Sequence, residues 1–322
     1  MATVVVLGGI ITDLVARAPR MPHLGESLFG DEFAIFLGGK AFNQAIAAAR
    51  LGAQVTLLGC VGTDPFGDAF FPVLASEGID SAFITRDPST GSGVATIIIA
   101  ADTGQNAIVV LPRANLALTA EAVERGLQTV ISQRALPHDP DIFLAQCETS
   151  KAALTAGLQL AHKAGMTTIL NVAPIPREPL EVNLFALVDI VIVNETEAAQ
   201  LIGAAVDSPA SAKLAAERLL TLGPAHAIIT LGKNGSLWST HETPETFVHQ
   251  EIRSYPVKQV DATAAGDAFC GALAAGLAQG IGMMAALKKA SAAGAVTATR
   301  MGAYPSLPTA AEVEALMKEE EA

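Results

Sequence analysis

The chain has 322 residues, of which 51% are hydrophobic and only 16% are charged, so it can bury a large core and is not intrinsically disordered. A net charge of −12 without any basic block argues against nucleic acid as a partner. The N-terminus shows no signal peptide, and the three cysteines, Cys60, Cys147 and Cys270, are scattered in apolar surroundings, which predicts a reducing, cytoplasmic location without disulfides or zinc.

Short β-branched runs alternate with Ala- and Leu-rich segments of helical length along the whole chain. This alternation predicts a single α/β domain over residues 1–322, with a doubly wound, mostly parallel sheet. The predicted strands are Val4–Leu7, Val55–Leu58, Ile142–Leu144, Thr168–Val172, Ile190–Val193 and Ala227–Thr230. The predicted helices are Phe42–Leu51, Phe66–Glu77, Lys151–Ala164, Glu195–Ile202 and Ala210–Leu222.

Two segments, at approximately residues 14–37 and 92–113, break the alternation. The first contains prolines and glycines and ends in the alternating stretch Glu32–Leu37. The second pairs Val94–Ala100 with Ala107–Leu111 across residues with turn chemistry, which is typical of a β-hairpin. Strands without intervening helices predict a small extra sheet, inserted in the domain as a lid or a dimer contact.

The stretch Ala268–Leu287 is long and nearly uncharged, so it has the length of a membrane span. It contains several glycines, however, and follows Asp267 directly. We therefore predict two buried helices joined at Gly280–Gly282, and no association with a membrane.

The strongest chemical motif is Asp261-Ala-Thr-Ala-Ala-Gly-Asp267, which precedes an apolar helix beginning near Gly266. The backbone N–H groups of Ala264, Ala265, Gly266 and Asp267 would point at one spot, and a helix N-terminus binds anions. An aspartate beside it can accept a proton from a hydroxyl, so the pair suits phosphoryl transfer to an alcohol. The alternative is that Asp267 only stabilises the helix N-terminus.

A second motif, Leu37-Gly-Gly-Lys-Ala-Phe-Asn-Gln44, also leads into a helix. Its glycines permit close approach of the backbone, and Lys40 and Asn43 offer donors to hydroxyls. The alternative is a glycine turn with a solvated lysine. The chain has neither a Walker A loop nor a G-x-G-x-x-G dinucleotide motif after a strand.

Two further motifs follow predicted strands. Asn194-Glu-Thr-Glu197 offers an amide and two carboxylates, which suit water on magnesium or contacts with phosphate, or else a capped helix start. Thr230-Leu-Gly-Lys-Asn-Gly235 is a turn that could line a nucleotide or be purely structural.

These motifs, in this order, resemble the ribokinase (PfkB) family of carbohydrate kinases. Asn171-Val-Ala-Pro174 and Arg300-Met-Gly-Ala-Tyr-Pro-Ser306 complete the resemblance from the first strand to the last helix. It implies ATP-dependent phosphorylation of a hydroxyl on a small sugar, with Mg²⁺ and K⁺, by a doubly wound domain whose small β-sheet lid is often shared across a homodimer.

The resemblance also implies roles for individual residues. Asp267 is the catalytic base, beside an anion hole of the Ala264, Ala265 and Gly266 N–H groups. The sugar-binding positions are Asp13, Gly39, Lys40, Asn43, Glu148 and Asp267. Asn194, Thr230, Gly232 and Gly266 fall on the ATP side, and Glu197 is tied indirectly to Mg²⁺. The monovalent-cation loop comprises Asp261, Thr263, Arg300, Gly302 and Ser306.

Two positions depart from the family pattern. Ile11 replaces an asparagine two residues before Asp13, and Phe42 is much bulkier than the family's residue. Ile11, expected at the carboxyl end of the first strand, removes a hydrogen-bonding group from the sugar pocket and so favours a deoxy sugar or another furanose or hexose derivative over ribose. The alternative is that the strand ends before Asp13 and Ile11 packs in the core. The alternatives are a nucleoside kinase and a non-catalytic sugar-binding protein on the same fold; a dehydrogenase has no motif in its favour.

Overall fold

The computed structural model describes residues 3–133 and 141–321. The strands are β1 (Thr3–Leu7), β2 (Ile11–Ala18), β3 (Glu32–Gly38), β4 (Gln54–Gly62), β5 (Ile84–Asp87), β6 (Gly93–Ala100), β7 (Asn106–Leu111), β8 (Ile142–Gln146), β9 (Thr167–Asn171), β10 (Ile190–Asn194), β11 (His226–Thr230), β12 (Ser236–Thr243) and β13 (Thr246–Ile252). The helices are α1 (Lys40–Arg50), α2 (Pro65–Asp68), α3 (Phe70–Ser76), α4 (Ala120–Ser132), α5 (Lys151–Lys163), α6 (Val182–Phe185), α7 (Glu195–Ile202), α8 (Pro209–Leu220), α9 (Ala265–Ala278), α10 (Met283–Thr297) and α11 (Ala310–Glu321).

The large sheet has nine strands in the order β13-β12-β11-β10-β9-β8-β1-β4-β5. Its strands are parallel from β5 to β11, and β12 and β13 add an antiparallel edge. Alternate side chains of β1 enter two apolar cores, Val4 and Val6 on the side of α1, α9 and α10, and Val5 and Leu7 on the side of α4, α5 and α8. Helices thus cover both faces, which confirms the predicted doubly wound fold.

A second sheet of four strands, in the order β3-β2-β6-β7, lies apart from the large one and is here called the small sheet. The predicted hairpin is present, with Val94 opposite Leu111. The small sheet begins at Ile11, three residues earlier than the segment boundary expected at 14. Ile11 therefore opens β2 and does not end the first strand, which stops at Leu7.

The predicted helix Phe66–Glu77 is broken into α2 and α3 around Ala69. Pro72 explains the break, because a proline ring clashes with the carbonyl group four residues earlier, here that of Asp68. Asp64 caps α2 by accepting from the Gly67 N–H at 3.0 Å. The sequence therefore specifies where this helix begins, but Pro72 prevents it from continuing unbroken to Glu77.

The apolar stretch after Asp267 forms α9 and α10, joined by residues 279–282 as predicted. Gly276 makes the close packing of the two helices possible, because a Cβ there would lie 3.1 Å from the Ala286 side chain. Within residues 3–133 and 141–321, no helix has the length and apolar character that crossing a membrane requires.

Candidate active site

The turn between β1 and β2 is held against the start of α1. Gly39 has φ +90°, and a Cβ there would lie 2.6 Å from both the Gly9 carbonyl oxygen and the Ile11 nitrogen. Only glycine fits such a conformation at such an approach. The N–H groups of Ala41 and Phe42 both donate to the Gly9 carbonyl oxygen, so the first turn of α1 is fixed beside β2.

Asp267 lies in the first turn of α9 and is 7% exposed. Two amide side chains of α1 hold its carboxylate. Asn43 Nδ2 donates to Asp267 Oδ2 at 2.9 Å, and Gln44 Nε2 donates to Asp267 Oδ1 at 3.0 Å. The carboxylate therefore has a fixed orientation at the junction of α1 and α9.

The helix start beside Asp267 has an unusual backbone. Ala264 is left-handed, with φ +61°, a region that alanine seldom adopts. The Ala265 N–H donates to the Ala262 carbonyl oxygen at 3.2 Å, so this predicted anion-hole donor is already engaged. Among the described residues, none accepts from the N–H groups of Ala264, Gly266 and Asp267. Three of the four expected donors are thus available to an anion.

Charged side chains from α1, from α7 and from the loop after β8 surround this carboxylate. Burial lowers the pKa of the Lys40 ammonium, but the carboxylates of Asp267, Glu148 and Glu197 outweigh it, and the net pKa is raised. Burial raises the pKa of Glu148, against the opposing effects of the Lys40 charge and of the Lys40 backbone N–H, which donates to Glu148 Oε2 at 2.8 Å. Lys40 thus stays a cation amid the carboxylates.

Asp13 belongs to the same group, although it comes from the small sheet. Burial, with the nearby charges of Glu148 and Asp267, raises the pKa of Asp13 to about 7. A partly buried carboxyl whose pKa lies near neutral pH is typical of functional sites. The expected sugar-binding residues Asp13, Gly39, Lys40, Asn43 and Glu148 are therefore assembled around one point, next to Asp267.

Two adjoining cavities lead to Asp267. The larger, about 610 Å³, is lined by Thr230, Gly232 and Gly266 together with residues of α10. The smaller, about 220 Å³, is lined by Asp267, Lys40, Asn194 and Glu197, and shares Thr230 and Gly266 with the larger one. The four expected ATP positions therefore line one continuous cleft that ends at Asp267.

Asn194 and Glu197 begin α7 with a reciprocal capping box. The Asn194 side chain accepts from the Glu197 N–H, and Glu197 Oε2 accepts from the Asn194 N–H, both at 2.8 Å. The helix cap that the sequence offered as an alternative reading is therefore present. It also fixes both side chains where they line the smaller cavity.

Comparison with known proteins identifies the family. The sequence profile of the pfkB family carbohydrate kinase matches residues 1–310. The chain belongs to this family. A ribokinase from Mus musculus is 37% identical over 95% of this chain and 92% of its own length, and a deoxyribokinase from Salmonella typhi is 33% identical over 95% of both chains. A structure of Arabidopsis thaliana ribokinase complexed with ribose and ATP has a TM-score of 0.85 and 26% identity, covering 99% of each chain.

Membership confirms the predicted ATP-dependent carbohydrate kinase, and the nucleoside kinase alternative is not favoured. One departure from the family pattern also finds an explanation. Phe42 of this pfkB kinase is fully buried and packs edge-on against Phe70, with ring centroids 4.9 Å apart. Its ring also lies 5.8 Å from that of Tyr304, so the added bulk fills the core.

The expected cation loop of the pfkB kinase is joined by Asp261. Its Oδ1 accepts from the Thr263 N–H and hydroxyl at 2.9 and 2.6 Å, and its Oδ2 accepts from the Gly302 N–H at 2.9 Å. The Arg300 guanidinium forms its ion pair with Glu312 of α11 and not with Asp261. Arg300 can therefore offer a cation only its backbone carbonyl, and Ser306 is buried with its hydroxyl on the Ala303 carbonyl oxygen.

The larger cavity is lined by several residues that no motif indicated. They are Tyr255, Pro256 and Val257 after β13, Phe269 on α9, and Ser291, Gly294, Ala295 and Ala298 on or after α10. The small residues of α10 have the pattern of a packed helix, and the segment after β13 follows no strand–turn–helix motif. Only the fold of the pfkB kinase brings them to the cleft.

Proposed function

We propose that this kinase transfers the γ-phosphoryl group of ATP to a hydroxyl of a small sugar, with Asp267 as the base. The observation that carries the proposal is the position of Asp267, where the cleft meets the group of Asp13, Lys40, Asn43 and Glu148. Asp267 takes the proton of the hydroxyl, whose oxygen attacks the γ-phosphorus in line while the bond from phosphorus to the bridging oxygen breaks and ADP leaves. The free N–H groups of Ala264, Gly266 and Asp267, with Lys40, stabilise the charge on the transferred group.

The nucleotide is proposed to lie along the two cavities, with the base in the larger and the phosphates in the smaller. Thr230, Gly232 and Gly266 line the first, and Asn194 lines the second. The described residues contain no cluster of three or more His, Cys, Asp or Glu side chains able to hold a metal by themselves. This fits Mg²⁺ that is carried mainly by phosphate oxygens and water, with Glu197 acting indirectly. Bound there, Mg²⁺ would neutralise phosphate charge.

We propose a monovalent-cation site formed by Asp261, Thr263, Arg300, Gly302 and Ser306. The donor set fits K⁺, because it consists of carboxylate, hydroxyl and backbone oxygens, and the one guanidinium of the loop pairs with Glu312. Asp261 joins the loop to the residues that precede α9, so an ordered loop supports the anion hole.

The cation proposal predicts that K⁺ raises activity. Turnover is measured in KCl and in tetramethylammonium chloride at equal ionic strength, since the organic cation is too bulky for the loop. We expect the higher rate in KCl. Equal rates would remove the cation site and leave the kinase assignment intact.

The small sheet is proposed to form a homodimer contact. Side chains alternate along a strand, so Asp13 and its neighbour Phe36 face the site, whereas Phe33 and Ile35 face the other way. Val109 and Leu111 share that outward face, and all four of these outward side chains are exposed. Exposed apolar patches of this kind mark protein–protein contacts, and we propose that a second copy of this chain covers this one. The molar mass in solution, expected to be that of two chains, tests the contact.

A reducing, cytoplasmic location is proposed from the thiols. Cys60, Cys147 and Cys270 are all free, and Cys60 and Cys270 are buried. Nucleic acid remains an unexpected partner because of the charge of −12.

The sugar itself is proposed to be 2-deoxyribose or a related sugar lacking one hydroxyl. Ile11 opens β2 and is 3% exposed, and it lies on the same side of the strand as Asp13 two residues later. An apolar side chain there cannot pair a sugar hydroxyl. Phosphorylation of ribose, 2-deoxyribose, fructose, ketogluconate-type acids and nucleosides with ATP tests the substrate class.

The Ile11→Asn variant is expected to shift the ratio of kcat/KM for ribose to that for 2-deoxyribose toward ribose by about tenfold. An unpaired hydroxyl costs roughly 1–3 kcal/mol, and one decade corresponds to about 1.4 kcal/mol. Both sugars are measured on the same protein, so a partial loss of folding leaves the ratio unchanged. A constant ratio would show that Ile11 does not contact the sugar.

A further inference from the structure

Four buried amide side chains, Asn43, Gln44, Gln146 and Asn171, lie beneath Asp267 and are here called the amide cluster. Gln44 is at its centre and is fully buried. Its Nε2 donates both to Asp267 Oδ1 at 3.0 Å and to Asn171 Oδ1 at 3.2 Å. Its Oε1 accepts from Gln146 Nε2. Every polar atom of the Gln44 side chain is therefore engaged, and one of its bonds reaches Asp267.

The cluster is anchored to the large sheet. Gln146 is the last residue of β8, and Asn171 is the last residue of β9. Asn171 Nδ2 donates in turn to the Ile192 carbonyl oxygen of β10 at 3.1 Å. A line of hydrogen bonds thus runs from the carboxyl ends of three neighbouring strands to the side chain of Asp267.

Stability alone does not explain this arrangement. Among the described residues, neither Asn43 Oδ1 nor Gln146 Oε1 has a hydrogen-bond partner, although both atoms are buried. A buried acceptor without a partner destabilises the fold, and apolar side chains of similar size would avoid that cost. Gly8 also makes room for the cluster, because a Cβ there would lie 2.2 Å from Gln146 Oε1.

The amides suit the chemistry of a base. Each carboxylate oxygen offers about two acceptor sites, and Asn43 and Gln44 occupy one on each oxygen of Asp267. Acceptor capacity for a substrate hydroxyl therefore remains. Amides carry no charge and do not titrate, so they orient the carboxylate without forming an ion pair with it.

We infer that Gln44 is a positioning residue for Asp267, and that Gln146 and Asn171 fix the Gln44 amide. The inference rests on the proposed role of Asp267 as the base. Gln44 reaches the reaction only through Asp267. Its loss should therefore lower kcat and leave the KM for the sugar and for ATP nearly unchanged.

The test is a double-mutant cycle with Gln44→Met and Asp267→Asn. Methionine keeps the length of the side chain and removes its N–H donors. We expect Gln44→Met alone to lower kcat about 10–100-fold, because a small misplacement of a reacting group costs up to this much. In the Asp267→Asn background the same change should alter the residual rate less than about twofold, since no positioned base is left to misplace.

Gln279→Met is the matched control. Gln279 Nε2 donates to the Leu51 carbonyl oxygen at 2.8 Å and so also links the α9 region to the end of α1, but far from Asp267. Its kcat should stay near the wild-type value. If Gln44→Met does not fold, Gln146→Met replaces it in the cycle, with a smaller loss expected in the same direction.

The outcomes separate the inference from the proposed function. An equal fold-loss of kcat from Gln44→Met in both backgrounds, or a loss expressed in KM, would show a merely structural role and overturn the inference. If Asp267→Asn by itself retains most of the turnover, it is the proposed base that fails. A loss that disappears in the Asp267→Asn background supports the positioning role.

Discussion

Asp267→Asn is expected to lower kcat by about 10²–10⁴-fold, the contribution of a positioned general base. Asparagine has the same shape but cannot accept the proton of the sugar hydroxyl. Binding should change little, because asparagine keeps the shape of Asp267, and because the remaining lining of the cleft, together with Asp13, Lys40 and Glu148, is untouched. The measurements are steady-state turnover with ATP and the candidate sugars, and calorimetric binding of each substrate.

Asp68→Asn is the control for the substitution itself. Asp68 lies on α2, is exposed, and pairs with Arg86 at the surface. It should leave turnover unchanged. If Asp267→Asn retains a kcat above half of the wild-type value, Asp267 is not the catalytic base.

Asp13→Asn is expected to make the protein more stable and less active. The pKa of Asp13 is raised from 3.8 to about 7, mainly by burial, so its ionised form is penalised in the folded state. The folded state binds the proton more tightly than the unfolded chain, and this penalty grows as the pH rises from about 4 to 7. At pH 8 the ionised Asp13 carboxylate destabilises the folded state to its full extent. The neutral amide of Asp13→Asn removes up to about 4 kcal/mol of this destabilisation.

The pH dependence is the discriminating measurement. Urea unfolding at pH 8 and at pH 5.5, at one protein concentration, should show a larger gain for Asp13→Asn at pH 8. In Asp13→Asn, kcat/KM for the sugar should be about 10–100-fold lower than in the wild type, because hydrogen bonds to a charged acceptor are among the strongest. A gain in stability that is the same at both pH values would contradict the raised pKa.

Six strands of the large sheet, β1, β4, β8, β9, β10 and β11, could be predicted from the sequence because they are largely buried and form continuous apolar runs. The outer strands β5, β12 and β13 could not, because they are partly exposed and have no such run. Nor could β2 of the small sheet be predicted. Its sequence, Ile11–Ala18, places Asp13 and Arg17 among apolar residues, and its pairing with β6 joins positions about 80 residues apart. Only the assembled sheet shows that Ile11 and Asp13 share one strand.

The candidate site was predictable to the extent that glycines and polar residues cluster near predicted helix starts. The sequence does not show that the Ala265 N–H is engaged, because this depends on the left-handed backbone of Ala264. Nor does it show the role of Gln44, which reads as one more polar residue on a helix. Its contacts come from β8, β9 and α9, and no local pattern encodes them.

The order in which the chain is made has a consequence for when the enzyme becomes competent. Asp13, Lys40, Glu148 and Asp267 come from widely separated parts of the sequence, and α9 lies between α1 and α10. During synthesis, Asp13 and Lys40 emerge long before α9, the helix that carries the proposed base. Gly271 of α9 packs against Ala47 and Ala48 of α1, so this face of α1 can be covered only after α9 has been synthesised. A nascent chain that ends before residue 267 lacks the proposed base, so we expect it to have no turnover.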